Sequence, residues 1–294
     1  MAGFRCGFVG VVGRPNVGKS TLVNALVGQK VAIVSDVPQT TRRRIRGVLS
    51  TDAYQVVFTD TPGFHKPRTA LGRRLNEVVG QSLQDVDVAL MVVDAAAGVG
   101  RGDAFVYTRR VAPLPCPKVC AVNKVDGLRH ERIVPQLAAA GALGAWDEIV
   151  PVSAATGRGL GELLEILVAR LPEGSPAFPR DQVTDQSVEE RTADLIREKA
   201  IRLTREEVPH SIAVVVEELS REDDLTRIAA TLLVERESQK GIVIGRHGAM
   251  LKEIGTRARR EIEPLLGTRV FLELRVKVQH EWQRDPSALT RLGF

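Results

Sequence analysis

The sequence predicts an α/β domain, with a mostly parallel sheet covered by helices on both faces, followed by a smaller α+β domain. Three observations predict it. Its 294 residues are enough for two cores. Short Val-rich runs alternate with helical patterns through the first part. Pro172–Gln186 then carries three prolines and a glycine with no apolar periodicity, as a joining arm does. The division predicted is therefore 1–172, an arm at 173–187, and 188–294.

Each element follows from its pattern. Strands are expected at Cys6–Val12, Gln55–Thr59, Val86–Val93, Val119–Val122 and Glu148–Val152, and a helix over Gly159–Leu171 closes the first domain. Beyond the arm, Ile196, Ala200 and Leu203 recur at helical spacing. Ile212, Val214 and Val216, then Ile228, Ala230, Leu232 and Val234, alternate as strands. A short helix, a longer helix striped by Leu251, Ile254, Ala258, Ile262 and Leu265, and a strand over Val270–Val278 complete the order.

Composition narrows the class. Hydrophobic residues make up 44% and charged residues 26%, an ordinary globular balance. The most apolar run, Val86–Val99, is broken by Asp87 and Asp94 and is too short to span a membrane. Met1 leads directly into a strand-like segment with no export leader, so a cytosolic protein is expected. Cys6, Cys116 and Cys120 lack metal-ligand spacing and are expected as reduced core residues. Net charge is +5. From Ser187 onward Lys plus Arg and Asp plus Glu both number 19, so the excess lies in residues 1–186. Local knots matter more: Arg42, Arg43, Arg44 and Arg46, and a stretch over Gln239–Arg260 with six bases against Glu253 alone.

The strongest motif is Gly13-Arg14-Pro15-Asn16-Val17-Gly18-Lys19-Ser20, with Thr21 following. It has phosphate-loop spacing, follows a predicted strand and opens a helix. Small residues let backbone amides approach phosphates, the helix start adds a positive dipole end, and Lys19 reaches the outer phosphates. Ser20 is the candidate magnesium ligand. Asp60-Thr61-Pro62-Gly63 ends a strand, where Asp60 would hold magnesium through water and the Gly63 amide would sense the terminal phosphate. In Gln39-Thr40-Thr41-Arg42 either Thr40 or Thr41 could complete the metal site. Asn123, Lys124 and Asp126 follow a strand, and a carboxylate at Asp126 accepts from two N–H groups that guanine presents together and adenine does not. Ser153-Ala154-Ala155 follows another strand and can offer a backbone donor to the guanine carbonyl. GTP and GDP are thus the expected ligands, with Mg2+ as cofactor. These motifs together resemble the translation-factor-like GTPases.

One position departs from the common pattern. Many GTPases place a glutamine after Asp-x-x-Gly, whereas here Phe64 and then His65 follow. Several relatives with a hydrophobic residue there hold K+ partly through a phosphate-loop asparagine, and Asn16 occupies that place. An alternative role for Asn16, stabilising the loop, stays open.

In the second domain Gly245-Arg246-His247-Gly248 forms a Gly-x-x-Gly loop between helical segments, the backbone clamp of KH domains. Lys240, Gly241, Gly245, Arg246, His247, Gly248, Lys252 and Arg259 are the candidate RNA contacts. The helix-strand-strand-helix-helix-strand order is that of a type II KH domain. A phosphate-loop GTPase domain followed by a type II KH domain resembles the Era family of bacterial ribosome-assembly GTPases, within the TrmE-Era-EngA-like class. That resemblance implies binding of the 3′ end of small-subunit ribosomal RNA and help in maturing the small subunit. It also implies a monomer in the cytoplasm, with peripheral association at the inner membrane. The rival readings are a tandem-domain or tRNA-modifying GTPase of the same class, against which stand the single phosphate loop and the lack of a cysteine after Cys120, an ATP-driven RNA-remodelling enzyme, and a non-hydrolysing RNA binder.

Overall fold

The computed structural model describes residues 3–37, 40–64 and 69–292. Gln39 and His65 lie outside the described residues. By contacts the chain divides into two units: Met1–Val34, Thr41–Arg68 and Gly72–Asp185, and then Ser35–Thr40, Thr69–Leu71 and Gln186–Phe294.

The first unit holds a six-stranded sheet in the order β2-β3-β1-β4-β5-β6. The strands are β1 (Arg5–Val12), β2 (Ile45–Ser50), β3 (Tyr54–Asp60), β4 (Val88–Asp94), β5 (Lys118–Asn123) and β6 (Glu148–Pro151). All neighbours run parallel except β2 and β3. Around the sheet lie α1 (Lys19–Val27), α2 (Ala70–Ser82), α3 (Arg101–Val106) with a π-helical turn over Tyr107–Val111, α4 (His130–Gly141) and α5 (Leu160–Ala169). In β4, Val88, Leu90 and Val92 belong to a core with α1 and α5, while Ala89, Met91 and Val93 belong to a second core with α2 and α4. Both faces are buried, which is why the strand is apolar at every position rather than at alternate ones.

Five of the six strands coincide with the predicted runs. The sixth, β2, was not anticipated. It is an antiparallel edge strand entered from the basic knot at Arg42–Arg46, and its mixed polarity hides the alternation. Residues 173–185 run along the first unit: Gly174 donates to Phe4, Val48 donates to Val183, and Gln55 Oε1 accepts from Ala177 and Phe178. Cys6 and Cys120 are buried and Cys116 half-buried, all as free thiols. Burial pushes the Cys120 thiol up to about 12.

The second unit has a three-stranded sheet, β7 (Ala213–Glu222), β8 (Leu225–Val234) and β9 (Arg269–Val278), with β8 antiparallel to β7 and parallel to β9. Helices α6 (Val188–Leu203), α7 (Val208–Ser211), α8 (Glu237–Ile244), α9 (Ala249–Leu266) and α10 (Pro286–Arg291) accompany it. Helix α6 starts at a capping box, where the Ser187 side chain accepts from the Glu190 amide and the Glu190 carboxylate accepts from the Ser187 amide. Ile196, Ala200, Ile254, Ala258 and Ile262 close over Ile228, Ala230 and Leu232 in one core. Among the described residues no helix is long and apolar enough to cross a membrane.

Candidate nucleotide site and nucleic-acid groove

The nucleotide site is assembled where β1, β3 and β5 end. The loop Gly13–Gly18 links β1 to α1. Gly18 has φ 96°, and a Cβ on it would stand 2.4 Å from Asn123 Nδ2, so only glycine closes this turn. Asn16 also takes a left-handed φ of 64°, which asparagine tolerates better than most residues. Lys19 is nearly buried, and its Nζ donates to the Arg14 carbonyl at 2.8 Å and the Gly13 carbonyl at 3.3 Å. Burial lowers its pKa to about 8, partly opposed by the Asp60 carboxylate. Thr21 follows on the first turn of α1.

Three oxygens meet beside it. Ser20 Oγ donates to Asp60 Oδ2 at 2.7 Å and lies 2.9 Å from Thr41 Oγ1, which itself donates to Asp60 Oδ2 at 3.3 Å. Asp60 is fully buried, and its other oxygen, Oδ1, has no hydrogen-bond partner. Burial raises its pKa, with Lys19, Ser20 and Thr41 pulling the other way. Hard oxygen donors with one orphaned carboxylate oxygen suit a magnesium ion. Thr40 is turned elsewhere, its hydroxyl bonding the Val37 carbonyl at 2.6 Å and the Ser35 hydroxyl at 2.5 Å. Arg42 is buried. Thr61 donates to the Val11 carbonyl at 2.7 Å, and Pro62 and Gly63 follow, Gly63 lying against Pro15.

On the other side of the loop, the amide of Asn123 is engaged at both ends: Nδ2 donates to the Val17 carbonyl at 2.9 Å, and Oδ1 accepts from Ala154 N at 3.0 Å. This side chain braces the phosphate loop against the Ser153–Ala155 turn. Lys124 Nζ donates to the Asn16 carbonyl at 2.7 Å and pairs with Asp94 at 2.7 Å. Asp126 is exposed, and the Ser153 hydroxyl donates to its Oδ1 at 2.6 Å, the leading cause of a lowered pKa. An oriented, ionised carboxylate facing solvent can accept from two neighbouring N–H groups at once.

In the second unit α8 ends at Gly245 (φ 72°, ψ 173°), and the chain passes Arg246 and His247 (φ 51°) to Gly248 (φ 78°), where α9 begins. A groove of about 490 Å³ follows this loop. Gly248, Lys252, Gly255 and Arg259 line it from the loop and α9, and Phe271, Leu272 and Leu274 from β9. Lys252 and Arg259 sit two turns apart on one face of α9. Arg257 is ion-paired with Glu253 at 2.6 Å and does not line the groove. Gly241 lies within α8 rather than in the loop, and Lys240 stands 3.8 Å from Glu237 on the same helix.

Comparison with known proteins agrees with this geometry. Residues 8–124 match the family model described as 50S ribosome-binding GTPase, and residues 207–283 match the KH domain model. Proteins called GTPase Era from Mycolicibacterium smegmatis and Mycobacterium tuberculosis are each 51% identical to this chain over the full length of both. The chain belongs to the Era family of GTPases. Among solved Era structures, a variant of the Aquifex aeolicus protein bound to GDP and AlF4− superposes with a TM-score of 0.95 at 41% identity, over 99% of each chain. An Era complex with MgGDPNP and nucleotides 1506–1542 of 16S ribosomal RNA gives the same TM-score, identity and coverage.

Several residues of this Era-family site were not legible in the sequence. Asp94 holds Lys124, and Asp103 accepts from Arg14 Nε at 2.8 Å. Gly255 and Phe271 line the groove. None sits in a motif, and each is recruited by a chain crossing that spacing does not reveal.

Proposed function

We propose that the chain is a magnesium-dependent GTPase that hydrolyses GTP to GDP and phosphate at the Gly13–Thr21 loop and binds the 3′ end of small-subunit ribosomal RNA in the Gly245–Gly248 groove, assisting small-subunit maturation. The observation that carries this reading is the full-length likeness to Era bound to both MgGDPNP and a 16S ribosomal RNA fragment. Supporting it, Ser20, Thr41 and Asp60 supply oxygens for magnesium, with Thr41 rather than Thr40 turned toward the site. The metal would neutralise charge on the β- and γ-phosphates. Lys19 meets the same phosphates, Asp126 reads the base, and the Ser153–Ala155 turn closes over it. The Thr61–Gly63 segment senses the terminal phosphate, and Gln39 and Arg42 flank Thr40 and Thr41 in the first switch.

Binding assays with GTP and ATP, together with filter binding of RNA ending in the small-subunit 3′ sequence and of a scrambled RNA, test both halves. Equal affinity for the two nucleotides, or for the two RNAs, overturns the corresponding half. Hydrolysis faster in K+ than in Na+ at equal ionic strength is part of the same reading, since Asn16 stands where related enzymes hold K+ and no glutamine follows Gly63. Equal rates leave Asn16 its conformational role only. A monomer in the cytoplasm that meets the inner membrane peripherally completes the reading. Sedimentation with and without lipid vesicles tests both statements.

A further inference from the structure

Phe64 stands where many GTPases carry the side chain that orients the attacking water, and it cannot hydrogen-bond to water. Its surroundings show where its ring goes instead. The Phe64 amide donates to the Gly13 carbonyl at 3.2 Å, so its backbone is tied to the phosphate loop. The side chain, 6% exposed, turns into the core formed with Val79, Val106 and Val111. There the Phe105 ring stacks on it with centroids 5.4 Å apart and planes 11° from parallel, and the Arg110 guanidinium lies 4.4 Å from its ring centre. Both geometries are attractive for an aromatic face.

The two partners are themselves held. Arg110 donates to the Asn76 carbonyl at 3.2 Å, is partly desolvated, and passes close to Gly80 of α2, where a Cβ would sit 3.2 Å from Nη1. It projects from the π-helical turn Tyr107–Val111, an irregularity that often marks a functional segment. The same stretch also grips the phosphate loop: buried Asp103 accepts from Arg14 Nε, and the Gly98 carbonyl accepts from Arg14 Nη2 at 3.3 Å. One short segment, Gly98–Arg110, therefore anchors both loops that must face the terminal phosphate. Phe105 itself is 42% exposed, and its ring stacks on Phe64.

We infer that Phe105 and Arg110 are positioning residues for GTP hydrolysis, keeping the Phe64 ring stacked in the core and out of the space through which water approaches the terminal phosphate. This rests on GTP being hydrolysed at the phosphate loop. Loosening the stack lets an apolar ring occupy the water's path, which slows the chemical step without weakening the phosphate and base contacts that hold GTP.

The test is single-turnover hydrolysis and GTP affinity in full-length Phe105→Ala, Phe105→Leu, Arg110→Ala, Phe64→Ala and Phe64→Ala/Phe105→Ala. Phe105→Ala and Arg110→Ala should each lose roughly tenfold in rate, because misplacements on the order of 1 Å cost up to about a hundredfold. GTP affinity stays at the wild-type value, and Phe105→Leu, which keeps an apolar cover, recovers most of the rate. In the Phe64→Ala background, with no ring to hold, removing Phe105 changes nothing. A Phe105→Ala rate equal to wild type overturns the inference, as does the same loss with and without the Phe64 ring, or a loss of affinity parallel to the loss of rate. Thermal melting of Arg110→Ala guards against misfolding, and the surface variant Phe105→Ala carries the test should it melt early. A wild-type protein without turnover, or a Lys19→Ala protein with unchanged turnover, overturns the underlying site reading instead.

Discussion

Asp126 meets solvent with one oxygen already taken by the Ser153 hydroxyl, so its plane is set before nucleotide arrives. Replacing it by asparagine keeps the shape and turns an acceptor into a donor. Asp126→Asn should lose about a hundredfold or more in GTP affinity, the scale of two charge-assisted hydrogen bonds, and gain affinity for xanthosine triphosphate. Competition binding with the two nucleotides checks this, and unchanged GTP affinity removes Asp126 from the base site. Lys19 offers a second residue-scale prediction. Its pKa of about 8 in the free protein lies below the usual 10.5, and anionic phosphates favour its charged form, so binding must raise it. The complex therefore holds a proton that part of the free protein has lost. Metal-free GDP binding should take up about half a proton at pH 8 and little at pH 6.5. Calorimetry in buffers of different ionisation heat reads this directly, and no uptake at pH 8 contradicts the buried, desolvated lysine.

The two loop glycines of the second unit look equivalent in the sequence and differ in the fold. Gly245 combines a positive φ with ψ 173°, and a Cβ on it would lie 2.6 Å from Met250 Cβ, whereas Gly248 has φ 78° with nothing within 4 Å. A side chain at Gly245 is strained and crowded; one at Gly248 meets mainly the conformational cost. Gly248→Asp should therefore lose RNA binding while melting within a few degrees of wild type, and Gly245→Asp should lose both binding and about 1–3 kcal/mol of stability. Denaturant titration beside filter binding separates the two. Equal stability losses would mean that Met250 moves aside and that the φ/ψ constraint is weak. Helix α9 gives a further expectation. Ile254, fully buried between the helix and the sheet, should cost about 2–5 kcal/mol when cut to alanine, with the groove residues of the same helix losing their rigid support.

Each unit has its own sheet and its own hydrophobic packing, two cores in the first and one in the second. Function should divide the same way. Arg246→Ala should remove roughly one phosphate contact and lower the salt slope of RNA binding by about one unit, with GTP affinity unchanged. Filter binding across a salt series, run with a nucleotide titration on the same protein, checks both. A GTP affinity that falls in step with RNA binding would contradict separate sites.

What could be read from residues alone was whatever depends on local chemistry. The Val-rich runs announced a sheet buried on both faces, and the Gly13–Ser20 spacing announced the loop between a strand and a helix that the fold shows, because backbone geometry is written in neighbouring positions. The Gly245–Gly248 loop between helices was legible for the same reason. Other features depend on which distant segments meet. The edge strand β2 gains its identity from pairing with β3, and that Thr41 rather than Thr40 meets Asp60 comes from how the fold turns the two hydroxyls. Asn123 is placed as a brace by Val17 and Ala154, and Phe64 is parked by Phe105 and Arg110, residues 41 and 46 positions further along the chain. Such assignments come from chain crossings and close packing, which no sequence window spans, and so folding alone makes them.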